Sequence, residues 1–161
     1  MKAVPILTFL LSICVVAVAT DEFPFREHPA RVFHGKPAIP RLETAIARQH
    51  KTAIRNGAKH GPNFAGHYTV VDWGCGTSCA VFIIVDDRSG RIYEPPDISR
   101  GVDLGVGGPE YRRDSTLMVV ASCPDPRVYG YKDCERKFYN WDGSRLVLLK
   151  TEPVMPSSPA R

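Results

Sequence analysis

The stretch GPNFAGHY at residues 61–68 carries the densest set of side chains that could do chemistry. Asn63 can act as a bidentate amide, His67 as a hydrogen-bond donor or an acid, and an aromatic ring nearby as a stacking platform. These types predict a surface recognition site, and its candidate binding residues are Asn63, Phe64, His67, Tyr68 and Trp73. The same stretch also fits a plain connector into a strand, in which Phe64 fills the core and His67 caps the strand.

A hydrolase that acts on a cell-envelope substrate is the alternative function. His67 would be its general base or acid, and Asp72 or another carboxylate would be its partner. A cleft that holds His67 within hydrogen-bond reach of a carboxylate would favour the enzyme, whereas a flat exposed aromatic patch would favour a binding protein. The sequence contains no complete catalytic set, so no catalytic residue is assigned and a binding protein is preferred over an enzyme.

Two pairs of cysteines predict structural disulfides. Cys75 and Cys79 flank a glycine-containing bend between strands, and Cys123 and Cys134 bracket a loop that joins two predicted strands. Four cysteines allow three pairings. We expect Cys75 to pair with Cys79 and Cys123 with Cys134, the longer closure stabilising the fold by about 3 kcal/mol.

Other cysteine chemistry fits the spacing less well. A thioredoxin-like centre needs two residues between its cysteines, and a four-cysteine zinc site needs two short pairs. The segment from Gly74 to Phe82 is similar to the surroundings of a papain-like nucleophile, but the last histidine, His67, lies upstream of it, so the thiol has no base. No metal and no cofactor are predicted.

The candidate residues must be positioned by one helix and several strands. Apolar residues at helical spacing, with Pro40 before them and Gly57 after them, predict a helix over Arg41–Asn56. Runs of β-branched and aromatic residues predict strands at His67–Trp73, Ala80–Asp86, Arg91–Glu94, Leu117–Ala121, Lys137–Trp141 and Ser144–Leu149. The fold class is therefore α+β, a single domain with an antiparallel sheet of about five to six strands and the helix on one face.

Three segments between these elements carry narrower expectations. Residues 20–40 contain four prolines and predict an extended lead-in, anchored by isolated aromatic residues such as Phe23, Phe25 and Phe33. Residues 95–110 predict a long loop. Asp142-Gly143 predicts a two-residue hairpin turn, which would place Trp141 opposite Ser144 and Tyr139 opposite Leu146.

Composition and the N-terminus indicate export. The chain has 161 residues, 43% hydrophobic content and a formal net charge of +4, which fits one globular domain and excludes a highly charged disordered chain. Lys2, an apolar run to Val18 and the small residue Ala19 predict a signal peptide over residues 1–19, with an uncleaved anchor as the alternative. Its removal takes away Cys14 and leaves an even number of cysteines, as suits an oxidising compartment. The domain would span residues 20–150, followed by a disordered tail at 151–161.

Basic residues on the predicted helix allow two interpretations. They would suit an anionic polymer, a lipid headgroup or an acidic partner, or they form an ordinary solvated helix face. Export argues against nucleic acid, and no stable membrane insertion is expected once the signal peptide is removed. The residues concerned are Arg41, Arg48, Lys51, Arg55 and Lys59.

A combination of motifs resembles a set of uncharacterised small exported bacterial proteins. The motifs are Phe64-Ala65-Gly66-His67-Tyr68, Trp73-Gly74-Cys75-Gly76-Thr77-Ser78-Cys79, Arg113-Asp114-Ser115 and Tyr139-Asn140-Trp141-Asp142-Gly143. The resemblance implies export and a shared fold, and it implies no activity. The small stapled frame, the aromatic and glycine-rich loops and the lack of a complete catalytic set predict a periplasmic or secreted binding protein, for example an inhibitor or immunity-type partner of another exported protein. Its ligand would be an unknown protein or an envelope component.

Overall fold

The computed structural model describes residues 23–76, 79–95, 102–103, 108–122 and 134–154. The predicted signal peptide, Cys123 and residues 155–161 lie outside these ranges. Within them the chain forms three helices and eight strands, and the α+β class is confirmed. In chain order these are α1 (Phe23–Arg26), α2 (Ala45–Gln49), α3 (Lys51–Ala58), β1 (Tyr68–Gly76), β2 (Cys79–Asp86), β3 (Ile92–Tyr93), β4 (Val102–Asp103), β5 (Glu110–Tyr111), β6 (Leu117–Ser122), β7 (Glu135–Trp141) and β8 (Leu146–Pro153).

The strands divide between two antiparallel sheets, where the sequence predicted one. The first has the order β1-β2-β3, with β4 also paired to β2, and the second has the order β5-β6-β7-β8. Two sheets form because β2 has apolar side chains on both of its faces, and both faces have to be buried. Phe82 and Ile84 of β2 pack against Met118 and Trp141 of the second sheet, while the alternate residues of β2 face the helices. One sheet with one helix would leave the first of these faces in water.

The predicted helix over Arg41–Asn56 is two shorter helices. Arg41 donates its backbone N–H to Gly90 O at 2.7 Å, which ties the segment before α2 to the turn between β2 and β3. Helix α2 therefore begins only after Thr44, whose hydroxyl accepts from the N–H of Ala47 at 3.1 Å. The helical conformation is interrupted at His50, and α3 begins at Lys51.

Helix α3 packs closely on β1. Ile54 and Ala58 are buried against Val71. A Cβ atom on Gly57 would lie 2.7 Å from a Val71 methyl group, so the absence of a side chain at Gly57 permits this approach. The prediction that a helix covers one face of the strands is correct for the first sheet.

The opposite face of the second sheet is covered by the lead-in segment. Phe25 is buried with Leu117, Val119 and Phe138, and the guanidinium of Arg112 lies 4.8 Å from the Phe25 ring centroid. Phe25 is thus an anchor, as predicted, although it lies in the short helix α1 and not in extended chain.

The last hairpin has a wider turn than predicted. Trp141 lies opposite Leu146 and Tyr139 opposite Leu148, so the predicted register is wrong. The carboxylate of Asp142 accepts from the backbone N–H groups of Ser144 and Arg145, both at 2.9 Å, and this favours a four-residue turn over the two-residue one. Strand β8 continues to Pro153, so residues 151–153 belong to the sheet and not to a disordered tail.

Candidate functional site

Asn63, predicted as a ligand-binding amide, clamps the edge of strand β1. Its Nδ2 donates to Val70 O at 3.1 Å, and its Oδ1 accepts from Val70 N at 2.8 Å. The backbone N–H groups of Asn63 and Phe64 both donate to Tyr68 O. The loop therefore covers the backbone groups of β1 that point away from β2, and the amide has its expected bidentate geometry toward the protein itself.

Phe64 and Tyr68 lie in the core between the two sheets. Phe64 is fully buried, and Tyr68 is 6% exposed. The Tyr68 hydroxyl donates to Gly143 O at 3.3 Å, and burial raises the pKa of this tyrosine. These are the contacts of a structural connector, and a binding role for the two rings stays a prediction.

His67 lies at the surface beside Asp86. The two are paired with 3.8 Å between Nε2 and Oδ1, which is longer than a hydrogen bond. The imidazole lies against the Tyr68 ring, with centroids 4.1 Å apart and the planes tilted by 34°. Burial lowers the pKa of His67, the Arg88 guanidinium lowers it further, and Asp86 opposes both. His67 is thus predominantly neutral near pH 7.

The carboxylate of Asp86 is already engaged in its own turn. Oδ1 accepts from Arg88 N at 2.9 Å, and Oδ2 accepts from the Ser89 hydroxyl at 2.6 Å. The carboxylate beside His67 is therefore a turn-capping aspartate, so the expected partner is not Asp72 but another carboxylate, Asp86. Serine, aspartate and histidine meet here, but the serine is bonded to the carboxylate and not to the imidazole that would have to activate it.

Trp73 does not converge with the other four predicted residues. Its ring stacks on His50 with centroids 4.4 Å apart, and it packs beside Val71 against the helices. Tyr68 and Trp73 are an odd number of residues apart on β1, so their side chains point to opposite faces of the sheet. The sequence spacing had placed them together because they are close along the chain.

The cysteine bend lies at the end of the β1–β2 hairpin. Gly76 pairs with Cys79 there, one residue after Cys75. Cys75 and Cys134 each take part in a disulfide bond, and Cys134 is buried. The side chains of Cys79 and Cys123 lie outside the described residues, so the pairing of Cys75 with Cys79 and of Cys123 with Cys134 stays a prediction.

A groove of about 780 Å³ between the sheets was not predicted from the sequence. Three aromatic residues and two leucines supply much of its surface. They come from β3 of the first sheet and from β7 and β8 of the second, and they are Tyr93, Tyr139, Trp141, Leu146 and Leu148. The signal that could have indicated it is the alternation of Tyr139 and Trp141, which places both rings on one face of β7.

The rings at the bottom of the groove hold one another edge to face. Trp141 lies 5.2 Å from Tyr93 and 5.2 Å from Tyr68, with interplanar angles of 84° and 77°. The buried Nε1–H of Trp141 has no hydrogen-bond acceptor among the described residues. Two of these three rings, Tyr93 and Trp141, line the groove.

Polar groups stand at the rim of this groove. Glu94 accepts a hydrogen bond from the Thr44 hydroxyl, and Arg145 is paired through Nε with Asp142 at 3.2 Å. The Arg145 side chain is largely exposed, so its terminal nitrogens can still donate to a bound group. An apolar floor with a few polar groups at its rim is typical of a binding site.

Strand β8 borders the groove and is an edge strand. Within the described ranges, no strand pairs with β8 on the side opposite β7. Val147, Leu148 and Leu149 are exposed on it. The sheet therefore presents an apolar edge directly beside the aromatic groove.

Comparisons of the chain with known proteins give no relative from which a function could be transferred. In the part of the chain that the structure describes, no helix is long and apolar enough to cross a membrane, and no three metal-binding side chains are grouped to hold an ion. No protein family, no curated protein and no solved structure matches this chain.

Proposed function

We propose that this chain is an exported binding protein, periplasmic or secreted, that holds an extended segment of another exported protein, as an inhibitor or immunity-type partner does. The observation that carries the proposal is the open apolar edge of β8 beside the aromatic groove. A segment added to this edge would gain backbone hydrogen bonds from the strand and side-chain burial from the groove.

The backbone of β8 has its hydrogen-bonding groups in the orientation that strand addition requires. Trp141 donates its N–H to Thr116 O, on the side of β7 that faces β6. Backbone groups alternate in direction along a strand, so those of Asn140 face β8 and bond to Val147. The N–H and C=O groups of Leu146 and Leu148 therefore face away from β7, while their side chains line the groove.

The part of β8 after residue 148 is protected from pairing with another strand, whereas the part beside the groove is not. Leu149 is the extra residue of a β-bulge, because Tyr139 pairs with Leu148 and Phe138 pairs with Lys150. Beyond the bulge lie Lys150 and Glu152, which form an ion pair, and then Pro153. Bulges, charges and proline are the devices that keep an edge from pairing. Only Leu146–Leu148, next to the groove, lacks them.

The edge of β1 gives a contrast within the same molecule. There the Asn63 amide and the N–H of Phe64 occupy the outward-facing backbone groups of Val70 and Tyr68. One sheet edge is thus closed by the loop that contains Asn63, whereas no described strand pairs with the outer edge of β8 beside the groove. The open edge is the better candidate for a partner.

The alternative, a small envelope hydrolase that uses His67 with a carboxylate, has weaker support. A neutral His67 could accept a proton, but its Asp86 partner is engaged in the turn and lies beyond hydrogen-bond distance. Neither residue lines the aromatic groove. Export itself is supported by the apolar N-terminal run and by the resemblance to small exported proteins.

The test is selection of extended peptides from a displayed random library on the chain from Thr20 onward, which contains all three core clusters. The affinity of the selected peptide is then compared between the parent and Leu148→Pro. Proline removes the outward N–H of Leu148 without removing a bond to β7, so we expect at least a tenfold loss of affinity and little change in stability.

Matched variants separate the contributions to binding. Leu148→Ala keeps the N–H and should lose less affinity than Leu148→Pro, whereas Tyr93→Ala removes a groove wall and should weaken binding severalfold. Glu152→Ala lies beyond the bulge and should leave affinity unchanged. Amide exchange at Leu146 and Leu148 should slow when the peptide binds. Binding that is indifferent to Leu148→Pro and Tyr93→Ala, or failure to select any peptide, would disprove the proposal.

A further inference from the structure

A second surface, remote in sequence from β8, presents one aliphatic side chain on a rigid support. Lys36-Pro37-Ala38-Ile39-Pro40, which we term the Ile39 crest, holds Ile39 82% exposed. On either side of Ile39 the backbone is fixed, by Ala38 N to Asp87 O at 2.8 Å and by Arg41 N to Gly90 O at 2.7 Å. These two hydrogen bonds therefore hold the backbone in the conformation in which Ile39 is exposed.

Gly90 allows the crest to approach the β2–β3 turn this closely. Its φ is +74°, and a Cβ atom built there would lie 2.1 Å from Ile39 O. The carbonyl of Ile39 thus points at the body of the protein and its side chain stands in solvent. A side chain at position 90 would displace the crest, so the sequence combines a residue without a side chain at the turn with a large apolar residue at the surface.

The crest forms one wall of a groove of about 410 Å³, and α3 with the residue after it forms the other wall. Its floor is apolar, from Pro37, Ala38, Pro40 and Ala58, and its rim carries the cations Lys36, Arg55 and Lys59. Among the described residues, no acidic side chain pairs with any of these three cations. Three cations therefore line the same groove as the exposed side chain of Ile39.

Several backbone groups of the crest cannot hydrogen-bond to an occupant. Pro37 and Pro40 have no N–H, and the N–H of Ala38 and the C=O of Ile39 are turned towards the β2–β3 turn. A polypeptide partner needs directional hydrogen bonds across its interface, about one per 100–200 Å². A lipid surface needs only an apolar insertion and diffuse positive charge.

We infer that the Ile39 crest docks this protein on a surface of anionic phospholipids, with Ile39 among the acyl chains and Lys36, Arg55 and Lys59 at the headgroup phosphates. Docking of this kind is peripheral and reversible, because one inserted side chain and three cations supply far less free energy than a membrane-spanning helix. It would leave β8 and the aromatic groove free for a polypeptide partner.

The test is co-sedimentation of the chain from Thr20 onward with phosphatidylcholine vesicles that contain or lack phosphatidylglycerol. We expect binding to the anionic vesicles alone, weakened by salt. Ile39→Ser should reduce it about tenfold through lost apolar burial. Arg55→Gln with Lys59→Gln should reduce it roughly 30-fold, about fivefold for each cation.

Two control variants carry matched changes elsewhere. Leu148→Ser alters an exposed aliphatic residue on β8, and Arg145→Gln removes a cation there, and both should bind vesicles as the parent does. Thermal unfolding of each variant shows that the fold is retained. The inference is overturned if the parent does not bind anionic vesicles, if it binds neutral ones equally, or if Leu148→Ser weakens binding as much as Ile39→Ser. Displacement by soluble polyglutamate at equal charge concentration would instead assign the crest to an acidic polypeptide.

Discussion

The hydroxyl of Thr69 lies 2.7 Å from Asp87 Oδ2 and 2.7 Å from Gly61 O, and both side chains are buried. A hydroxyl has one hydrogen, and the carbonyl of Gly61 can only accept. If Thr69 donates its hydrogen to Gly61 O, then Thr69 and Asp87 can form a hydrogen bond only when the Asp87 carboxyl is protonated and donates to the Thr69 hydroxyl. Burial is the main reason that the pKa of Asp87 is raised to about 6; the hydrogen bond with Thr69 opposes this rise, and the neighbouring Asp86 adds to it.

Asp87→Asn should therefore stabilise the protein near neutral pH. A folded-state pKa above the unfolded value of 3.8 means that the contribution of Asp87 is full at low pH and is lost as the pH rises through about 6. The parent should lose up to about 3 kcal/mol of unfolding free energy between about pH 4 and pH 7 from this group. Urea unfolding across this range measures the loss.

Asparagine does not titrate in this pH range, so the unfolding free energy of Asp87→Asn should vary less with pH than that of the parent. The exposed Asp114→Asn is the control and should keep the parental profile. Parallel profiles for the parent and Asp87→Asn would show that Asp87 ionises in the folded protein without cost.

His67 should titrate below its ordinary pKa of 6.5, because burial and Arg88 disfavour its protonated form. Because the pKa of His67 is lower in the folded protein than in the unfolded chain, the unfolding free energy should decrease as the pH falls from about 6.5 through the folded-state pKa. Arg88→Gln should raise the pKa of His67, and Asp86→Asn should lower it. NMR titration of the imidazole measures both shifts, with Lys150→Gln as a distant charge control. A pKa above 6.5 in the parent would contradict the assignment of burial as the dominant cause.

Asn63→Ala should destabilise the fold without weakening peptide binding at β8. It leaves the N–H and C=O of Val70 without their amide partner, which should cost about 2–4 kcal/mol. Asn63→Asp keeps the acceptor for Val70 N but sets a carboxylate oxygen against Val70 O, which can only accept, so it should also destabilise the fold. Urea unfolding measures both, and Asn56→Ala, at an exposed site on α3, should change stability by less than about 0.5 kcal/mol. If Asn63→Ala is as stable as the parent but binds no peptide, Asn63 is a binding residue and not a structural one.

Local patterns were sufficient for much of the fold. The β-branched run of β2 and the turn before β3 lie where the sequence predicted them, because strand propensity and a glycine at positive φ act over a few residues. The last hairpin shows the limit of such signals. Asp142-Gly143 does form the turn, but the Asp142 carboxylate binds the backbone of Ser144 and Arg145 and shifts the register of every pair that follows.

The sequence by itself determined the α+β class, most strand positions and the chemical character of the loop at Asn63. Tertiary structure decided the rest: that the strands form two sheets, that the Asn63 amide is used by Val70, and that Tyr93 meets Trp141 at the bottom of a groove. Tyr93 and Trp141 belong to different sheets and are far apart in the chain. Periodicity reports which face of its own element a side chain occupies, whereas a groove depends on which elements pack together, and that is decided by burial summed over the whole molecule.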